Sequence, residues 1–241
     1  MTGTLYVIGI GPGDPELLTL KAVKILRDVP CIFFPKGKEE GISLARSVVE
    51  GVIDLSQKEL YELHFPMAKK QGNKFSRELT ERWDEIGSAI TGILAQGKDA
   101  AFLTLGDPCI YSTYFYIHGL LQKGSRIQIE IIPGISSINL AFSKIEQPMA
   151  LADEAFVVIP AAYWESFEPL LANFHTIVFM KVHKVFYQLR ELLSQKGLLR
   201  NAWYVSKLGM KGERIIADLR EVTDEDLNYF SMVILKGRKD E

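Results

Sequence analysis

Residues 5–14 read LYVIGIGPGD, an apolar run that passes directly into a glycine-rich turn. The pattern returns at residues 100–105, where another apolar run ends in the turn Gly106-Asp107-Pro108. Short apolar runs bounded by turns are typical of buried strands, and ligands of open α/β sheets bind at the carboxyl ends of such strands. The two turns therefore predict an α/β protein with a ligand cleft, which favours an enzyme.

The composition is that of a globular protein with a substantial core. Of the 241 residues, 47% are hydrophobic and 24% are charged, which excludes wholesale disorder. The net charge of −2 and the pI of about 6.1 do not favour a nucleic-acid partner. No apolar run approaches the ~20 residues that span a bilayer, and the N-terminus lacks the pattern of a signal peptide.

The histidines and cysteines predict neither a metal site nor a disulfide framework. The four histidines are scattered without metal-ligand spacing, so we expect no protein-bound metal. Cys31 and Cys109 lie in apolar surroundings, which favours a reducing cytoplasm. We therefore expect a cytoplasmic protein that binds neither nucleic acid nor membrane.

Strand and helix patterns alternate along the chain. We expect strands at residues 5–10, 31–34, 60–65, 100–105, 126–132, 156–159, 176–180, 202–205, 214–217 and 231–235. We expect helices at residues 14–27, 43–50, 75–94, 111–122, 136–145 and 185–195. The late strands are close together, which predicts a partly antiparallel second sheet. A boundary near Gly124 would give two domains, 1–124 and 125–241.

Residues 9–14 depart from the dinucleotide-binding fingerprint GxGxxG. The third glycine, Gly13, comes one residue early, and Pro12 lacks the N–H that would be donated to a pyrophosphate. No Asp or Glu follows at the position that holds a ribose, where residues 33–36 read FFPK. These departures disfavour a nicotinamide-dependent oxidoreductase. The alternative is a tight turn in which Asp14 caps the next helix.

Three further segments are candidates for ligand binding. Residues 133–137, PGISS, combine a turn with a helix cap. Two basic segments, 36–38 and 65–77, contain the cations Lys36, Lys38, Lys69, Lys70, Lys74 and Arg77. Such a segment is either a solvated surface loop or a place that holds carboxylates or phosphates. Asp107 is likewise either a turn residue or part of a ligand loop.

Taken together, these segments resemble the tetrapyrrole methylases. The resemblance covers nearly the whole chain and rests on GIGPGDPELLTLKA at 9–22, GDP at 106–108, PGISS at 133–137 and TIVFMK at 176–181. Within this family, three segments most resemble the members that methylate carbon 20 of precorrin-2. They are FPKGKEEGISLA at 34–45, HFPM at 64–67 and TLGDPCIYSTY at 104–114.

The resemblance implies an α/β homodimer of two-domain chains, with a mostly parallel N-terminal sheet, a mixed C-terminal sheet and an interdomain cleft. It also implies S-adenosylmethionine as methyl donor, held largely by backbone groups. The implied contacts are Pro12, Gly106, Asp107, Pro108, Ile110, Tyr111, Ser136, Ser137, Met180, Leu208 and Gly209. Candidates for a general base are Asp14, Asp107 and Tyr111. Members that methylate uroporphyrinogen carry an Asp where this chain has Pro35, which argues against that substrate.

The expected reaction is methyl transfer to carbon 20 of precorrin-2 or cobalt-precorrin-2, on the route to cobalamin. The nucleophile is the substrate's own meso carbon, and the six cations named above would bind substrate carboxylates. Alternative acceptors for this fold are another corrin intermediate, the diphthine precursor of elongation factor 2 and ribosomal RNA, and the acidic pI weighs against RNA. A binding protein without catalytic activity is a further alternative.

Overall fold

The computed structural model describes residues 2–37, 44–65, 75–124, 127–164 and 166–237. The chain divides into two compact units, Met1–Ser136 and Ser137–Glu241. This division falls beyond the boundary near Gly124 that the sequence suggested. The reason is that the strand following Gly124 pairs with the first strand of the chain and so belongs to the first unit.

The first unit is built around a parallel sheet of five strands. They are β1 (Thr4–Gly9), β2 (Cys31–Lys36), β3 (Glu59–His64), β4 (Ala100–Thr104) and β5 (Gln128–Ile132). Their order in the sheet is β3-β2-β4-β1-β5, and every neighbouring pair is parallel. The predicted parallel N-terminal sheet is confirmed.

The helices of the first unit cover the two faces of this sheet in pairs. They are α1 (Leu20–Asp28), α2 (Leu44–Glu50), α3 (Arg77–Leu94) and α4 (Phe115–Gly124). Phe34 of β2 shares a core cluster with α1 and α2. Its neighbour Phe33 shares another with α3 and α4, because successive strand residues point to opposite faces. Full burial of one such side chain stabilises the fold by about 1.5–3 kcal/mol.

The connection from β1 to β2 contains two helical pieces, whereas the sequence predicted one helix over 14–27. Asp14 does act as a cap, but only of the single 3-10 turn Pro15–Leu17. Thr19 then caps α1, because its hydroxyl accepts a hydrogen bond from the Ala22 N–H at 3.2 Å. The prediction of one helix is wrong because a threonine side chain offers the backbone a competing hydrogen bond.

The helix after β4 begins later than predicted. The sequence predicted a helix over 111–122, but α4 begins at Phe115. Tyr111 has a φ of 52°, a left-handed conformation that does not occur inside a right-handed helix. The predicted start is therefore wrong, and the residues from Gly106 to Tyr114 form a connecting loop.

The second unit contains a mixed sheet, as predicted. Its strands are β6 (Phe156–Pro160), β7 (Thr176–Met180), β8 (Ala202–Ser206), β9 (Arg214–Ile216) and β10 (Ser231–Lys236). In the order β6-β7-β10-β8-β9, only β6 and β7 are parallel. Its helices are α5 (Ser137–Lys144), α6 (Glu168–Asn173) and α7 (Phe186–Gln195).

Helix α6 was not predicted, because six residues are too few to display a helical period. Across both units, the described part of the chain contains no helix that is long and apolar enough to cross a membrane.

The variant Thr19→Ala removes the side-chain cap of α1. We expect it to lower the free energy of unfolding by about 1 kcal/mol, the usual value of such a cap. Thr19→Ser keeps the hydroxyl acceptor and should remain close to the wild type. Urea denaturation followed by circular dichroism measures both variants. Equal stability of Thr19→Ala and the wild type would contradict the capping role.

Candidate active site

The connections of the first sheet point to a ligand crevice at its carboxyl edge, between β2 and β4. From β2 the chain crosses through α2 to β3, whereas from β4 it crosses through α4 in the opposite direction to β5. Ligands of α/β sheets bind where neighbouring connections diverge in this way. Pairing of β2 with β4 ends at Phe33↔Phe102, while pairing of β2 with β3 continues to Lys36↔His64.

Three turns converge on the β4 side of this crevice. The turn after β1 and the turn after β4 are joined by a hydrogen bond of 2.7 Å from the Gly106 N–H to the Gly11 carbonyl. The turn after β5 is tied to them by the Gly134 N–H, which donates to Asp107 Oδ2 at 3.0 Å. The structure therefore brings together three turns that are far apart in the sequence.

Glycine is required where these turns touch. A Cβ on Gly134 would lie 2.3 Å from the Gly106 carbonyl oxygen, and a Cβ on Gly9 would lie 2.7 Å from the same atom. Neither distance is compatible with a side chain, so the turns meet backbone to backbone. Pro12 and Pro108, two of the predicted donor contacts, are buried in these turns.

The carboxylates suggested as general bases hold the turns in place. Asp14 accepts a hydrogen bond from the Glu16 N–H at 2.9 Å. Asp107 uses both oxygens, because Oδ1 accepts from the Cys109 N–H at 2.8 Å and Oδ2 accepts from Gly134. Such side-chain to backbone bonds fix the course of a turn, which gives both acids a structural role.

The loop that follows the Gly106 turn is anchored at its far end. Ser112 Oγ lies 3.1 Å from Thr104 Oγ1 and accepts a hydrogen bond from the Tyr114 N–H at 3.2 Å. The Tyr114 hydroxyl lies 2.8 Å from His118 Nδ1, and burial raises the pKa of Tyr114 above its usual range. The loop is therefore held by partly buried hydrogen bonds at its far end.

The same loop presents apolar and aromatic side chains to solvent. Ile110 and Tyr111 are exposed, as are Phe115 and Tyr116 in the first turn of α4. The Tyr116 ring stacks on Trp83 of α3, with ring centroids 4.7 Å apart. Exposed large apolar side chains within one short stretch of chain are candidates for contact with a ligand or partner.

Of the six predicted carboxylate-binding cations, two lie in the described residues. Lys36 ends β2, with Nζ 2.6 Å from Glu62 Oε2 and a side chain that is 17% exposed. Arg77 begins α3 and pairs with Glu81 one turn further on, at 2.7 Å. The other four, which lie outside the described residues, are Lys38, Lys69, Lys70 and Lys74. Lys36 is thus placed at the β2 side of the crevice.

His64 is a residue to which the sequence assigned no role. It ends β3 in register with Lys36, at the same carboxyl edge as the three turns. Its Nδ1 is buried and has no hydrogen-bond partner among the residues that the structure describes. Two sequence signals could have indicated a function: its place at the end of a strand, and its position as the first residue of the HFPM segment at 64–67.

The predicted donor contacts of the second unit lie together at one end of its own sheet. Because β7 and β8 both pair with β10, their carboxyl ends flank the start of that strand. Met180 ends β7, and Leu208 and Gly209 follow β8. Gly209 has a φ of 71°, and its N–H donates to Glu213 Oε2 at 2.8 Å.

The remaining predicted contacts, Ser136 and Ser137, are consecutive, with Ser136 buried and Ser137 at the start of α5. At the other end of α5, Lys144 pairs with Glu213 at 3.0 Å. Burial opposes ionisation of Glu213, but the hydrogen bonds from Gly209 and Lys144 outweigh it and hold the pKa of that carboxyl below its ordinary value. The Gly209 turn is therefore held by an ionised carboxylate.

The variant Gly134→Ala tests the contact between the turns. We expect it to lower the free energy of unfolding by about 1–3 kcal/mol, because the added methyl group must displace backbone. Gly119→Ala is the matched control, since a Cβ there meets nothing within 4 Å and alanine is favoured inside a helix by about 0.5–1 kcal/mol. Thermal unfolding compares the two. A Gly134→Ala variant as stable as Gly119→Ala would contradict the close contact.

Two curated relatives are similar over nearly their whole length. The cobalt-precorrin-2 C(20)-methyltransferase of Salmonella typhimurium is 33% identical over 238 residues, which cover 98% of this chain and 97% of the relative. The precorrin-2 C(20)-methyltransferase of a Sinorhizobium species is 33% identical over 243 residues, which cover 99% of this chain and 97% of the relative.

The fold is also found in a solved structure. The uroporphyrin-III C-methyl transferase of Thermus thermophilus, complexed with S-adenosylhomocysteine, has a TM-score of 0.66 at 20% identity, covering 97% of this chain and 92% of that one. The sequence profile of the tetrapyrrole (corrin/porphyrin) methylases matches residues 4–223. Because this match spans both units, the chain belongs to the tetrapyrrole methylase family.

Proposed function

We propose that this protein transfers a methyl group from S-adenosylmethionine to carbon 20 of precorrin-2 or cobalt-precorrin-2 in cobalamin biosynthesis. The observation that carries the proposal is the divergence of the strand connections between β2 and β4, with backbone-lined turns on the β4 side and Lys36 on the β2 side. The names of the two relatives at 33% identity support this acceptor.

The turns on the β4 side suit S-adenosylmethionine. Residues 9–14 and 104–114 contain no lysine or arginine, and Asp14 and Asp107 add two carboxylates, so the local charge favours a sulfonium cation. Glycines leave the backbone N–H and carbonyl groups uncovered for a neutral adenine. We assign the donor to Pro12, Gly106, Asp107, Pro108, Ile110, Tyr111, Ser136, Ser137, Met180, Leu208 and Gly209.

The other groups around the crevice suit a flat, acidic macrocycle. The Lys36 ammonium can form charge-assisted hydrogen bonds with side-chain carboxylates of the ring. The exposed faces of Tyr111, Phe115 and Tyr116 supply apolar area for the ring itself. The basic residues outside the described part of the chain, Lys38, Lys69, Lys70 and Lys74, and also Arg77, would add carboxylate contacts.

The methyl-transfer step depends mainly on orientation. Bound S-adenosylmethionine supplies an electrophilic methyl group with a good leaving group. The protein holds the meso carbon of the substrate in line with that methyl group and excludes water, and such positioning contributes about 7–11 kcal/mol to catalysis. Lys36, by fixing a carboxylate of the ring, helps to select the carbon that faces the donor.

The proposal includes the setting in which the enzyme works. We assign it to the cytoplasm, as a homodimer without protein-bound metal, nucleic acid or membrane as partner. The family resemblance supports the dimer, and the pI of about 6.1 supports the absence of nucleic acid. Light scattering of the purified protein measures the oligomeric state.

An anaerobic assay with methyl-labelled S-adenosylmethionine tests the reaction. Precorrin-2 and cobalt-precorrin-2 are offered side by side, since one relative of equal identity is named for each. We expect label at carbon 20 of one of them, located by NMR spectroscopy. Binding of S-adenosylmethionine without transfer to either substrate would contradict the proposed acceptor while leaving the methylase assignment intact.

Lys36→Ala tests the carboxylate contact. We expect KM for the tetrapyrrole to rise about tenfold, because one charge-assisted hydrogen bond is lost, while the Kd for S-adenosylmethionine stays unchanged. Lys98→Ala is the matched control. It removes a lysine that pairs with Glu59 of β3 at the same distance, 2.6 Å, but at the amino end of the sheet. Equal KM values for the two variants would contradict the role of Lys36.

A further inference from the structure

The proposed methylation requires a proton to be removed, and this inference rests on that proposed function. The acceptor carbon carries one hydrogen before the reaction. As the carbon–methyl bond forms, the methyl–sulfur bond breaks and its electron pair stays on sulfur. The carbon then holds both hydrogen and methyl, and conjugation returns only when the hydrogen leaves as a proton and its bonding pair returns to the ring. A nearby group must accept this proton.

The candidate bases suggested by the sequence are poorly suited to this task. Asp14 and Asp107 accept hydrogen bonds from backbone N–H groups, and Asp107 uses both oxygens in this way. Tyr111 offers a phenol, a group that already carries its own proton. Lys36, as an ammonium, offers only donors.

His64 is placed and equipped to accept the proton. It ends β3 at the carboxyl edge, in register with Lys36, and strands of a sheet are about 4.8 Å apart. The imidazole therefore lies one strand away from the β2 side of the crevice. Its Nδ1 is buried and lacks a hydrogen-bond partner among the described residues, and such a group in a native protein calls for an explanation.

We propose that the half-buried imidazole of His64 takes up the proton released from the methylated carbon and passes it to solvent. Imidazole is the side chain that exchanges protons near neutral pH. Two charged residues lie next to His64 in the sheet: Lys36, which is opposite it on β2, and Glu62, which is two residues before it on β3. Their side chains form an ion pair of 2.6 Å and so neutralise one another. The imidazole is therefore left with a lone pair that no described group of the free protein uses.

The other three histidines are less suited to this role. His118 Nδ1 lies 2.8 Å from the Tyr114 hydroxyl, and His175 Nδ1 accepts a hydrogen bond from the Ala155 N–H at 3.1 Å. His183 Nδ1 also lacks a partner among the described residues, but it follows β7 in the second unit, where its ring packs against Tyr229. His183 is therefore the alternative that the experiment must separate from His64.

Single-turnover kinetics of His64→Gln separates methyl transfer from proton removal. In the wild type we expect S-adenosylhomocysteine and the final chromophore to appear together. In His64→Gln we expect S-adenosylhomocysteine at a rate close to that of the wild type, followed by the final chromophore about 100-fold more slowly. The intermediate has interrupted conjugation, so its absorption differs from that of both substrate and product.

Four controls make the result specific to His64. His175→Gln replaces a histidine remote from the crevice and should keep the two events together, and His183→Gln should do the same. Added imidazole should restore the second phase in His64→Ala but have no effect on the wild type. The melting temperature and the Kd for S-adenosylmethionine should be unchanged in His64→Gln, which excludes a general loss of structure.

The outcomes distinguish this inference from the proposed function. Wild-type turnover with both events still coincident in His64→Gln would overturn the role of His64 alone. Separation of the events in His183→Gln instead of His64→Gln would also overturn it. Absence of S-adenosylhomocysteine from the wild type with either tetrapyrrole would overturn the proposed function, and the role of His64 with it.

Discussion

The carbonyl oxygen of Gly106 sets the closest packing at the carboxyl edge of the first sheet. A Cβ on either Gly9 or Gly134 would meet this atom at less than van der Waals distance. The ends of β1, β4 and β5 can therefore meet only as bare backbone. This contact brings Asp107 to the Gly134 N–H. The positions of the turns are therefore set by the strand backbones and not by side-chain rotamers. A ligand held there would meet groups that lose little conformational entropy on binding.

On the β2 side of the crevice, the strands separate near Pro35 instead of meeting. A proline cannot donate a ladder hydrogen bond, and the pairing of β2 with β4 ends two residues earlier, at Phe33↔Phe102. Pairing with β3 nevertheless continues through Pro35↔Leu63. In the sequence, Pro35 was notable because members that methylate uroporphyrinogen carry an Asp at this position. In the structure, Pro35 lies two residues beyond the last pair between β2 and β4.

The sequence predicted the fold well where apolar pattern and turn chemistry agree. The ten strands of the described residues and the long helix α3 follow from apolar runs and period. The errors lie where one residue changes the backbone locally: Thr19 begins a second helix, and Tyr111 adopts a left-handed conformation. The sequence suggested a boundary near Gly124, whereas the compact units meet between Ser136 and Ser137. Strand pairing, which assigns β5 to the first sheet, cannot be read from a local pattern.

The candidate site could be predicted only in part, for a similar reason. Glycines and Asp107 mark the turns in the sequence, because few residues suit those conformations. The pairing of Lys36 with Glu62 and the isolated nitrogen of His64 depend on the register of β2 against β3. Register is a relation between distant segments, so neither feature has a local sequence signal.

Two lysine–glutamate ion pairs lie at opposite edges of the first sheet. They show that the place of a side chain in the fold, rather than its residue type, decides which ligand it could bind. At the amino edge of the sheet, Glu59 binds both Lys98 and the Tyr61 hydroxyl, and this hydrogen bond raises the pKa of Tyr61 to about 12. In that cluster the polar side chains bind one another. At the carboxyl edge, Glu62 occupies one of the three donors of Lys36. That edge is where the connections diverge, so under the proposed function the remaining donors of Lys36 would bind a carboxylate of the substrate.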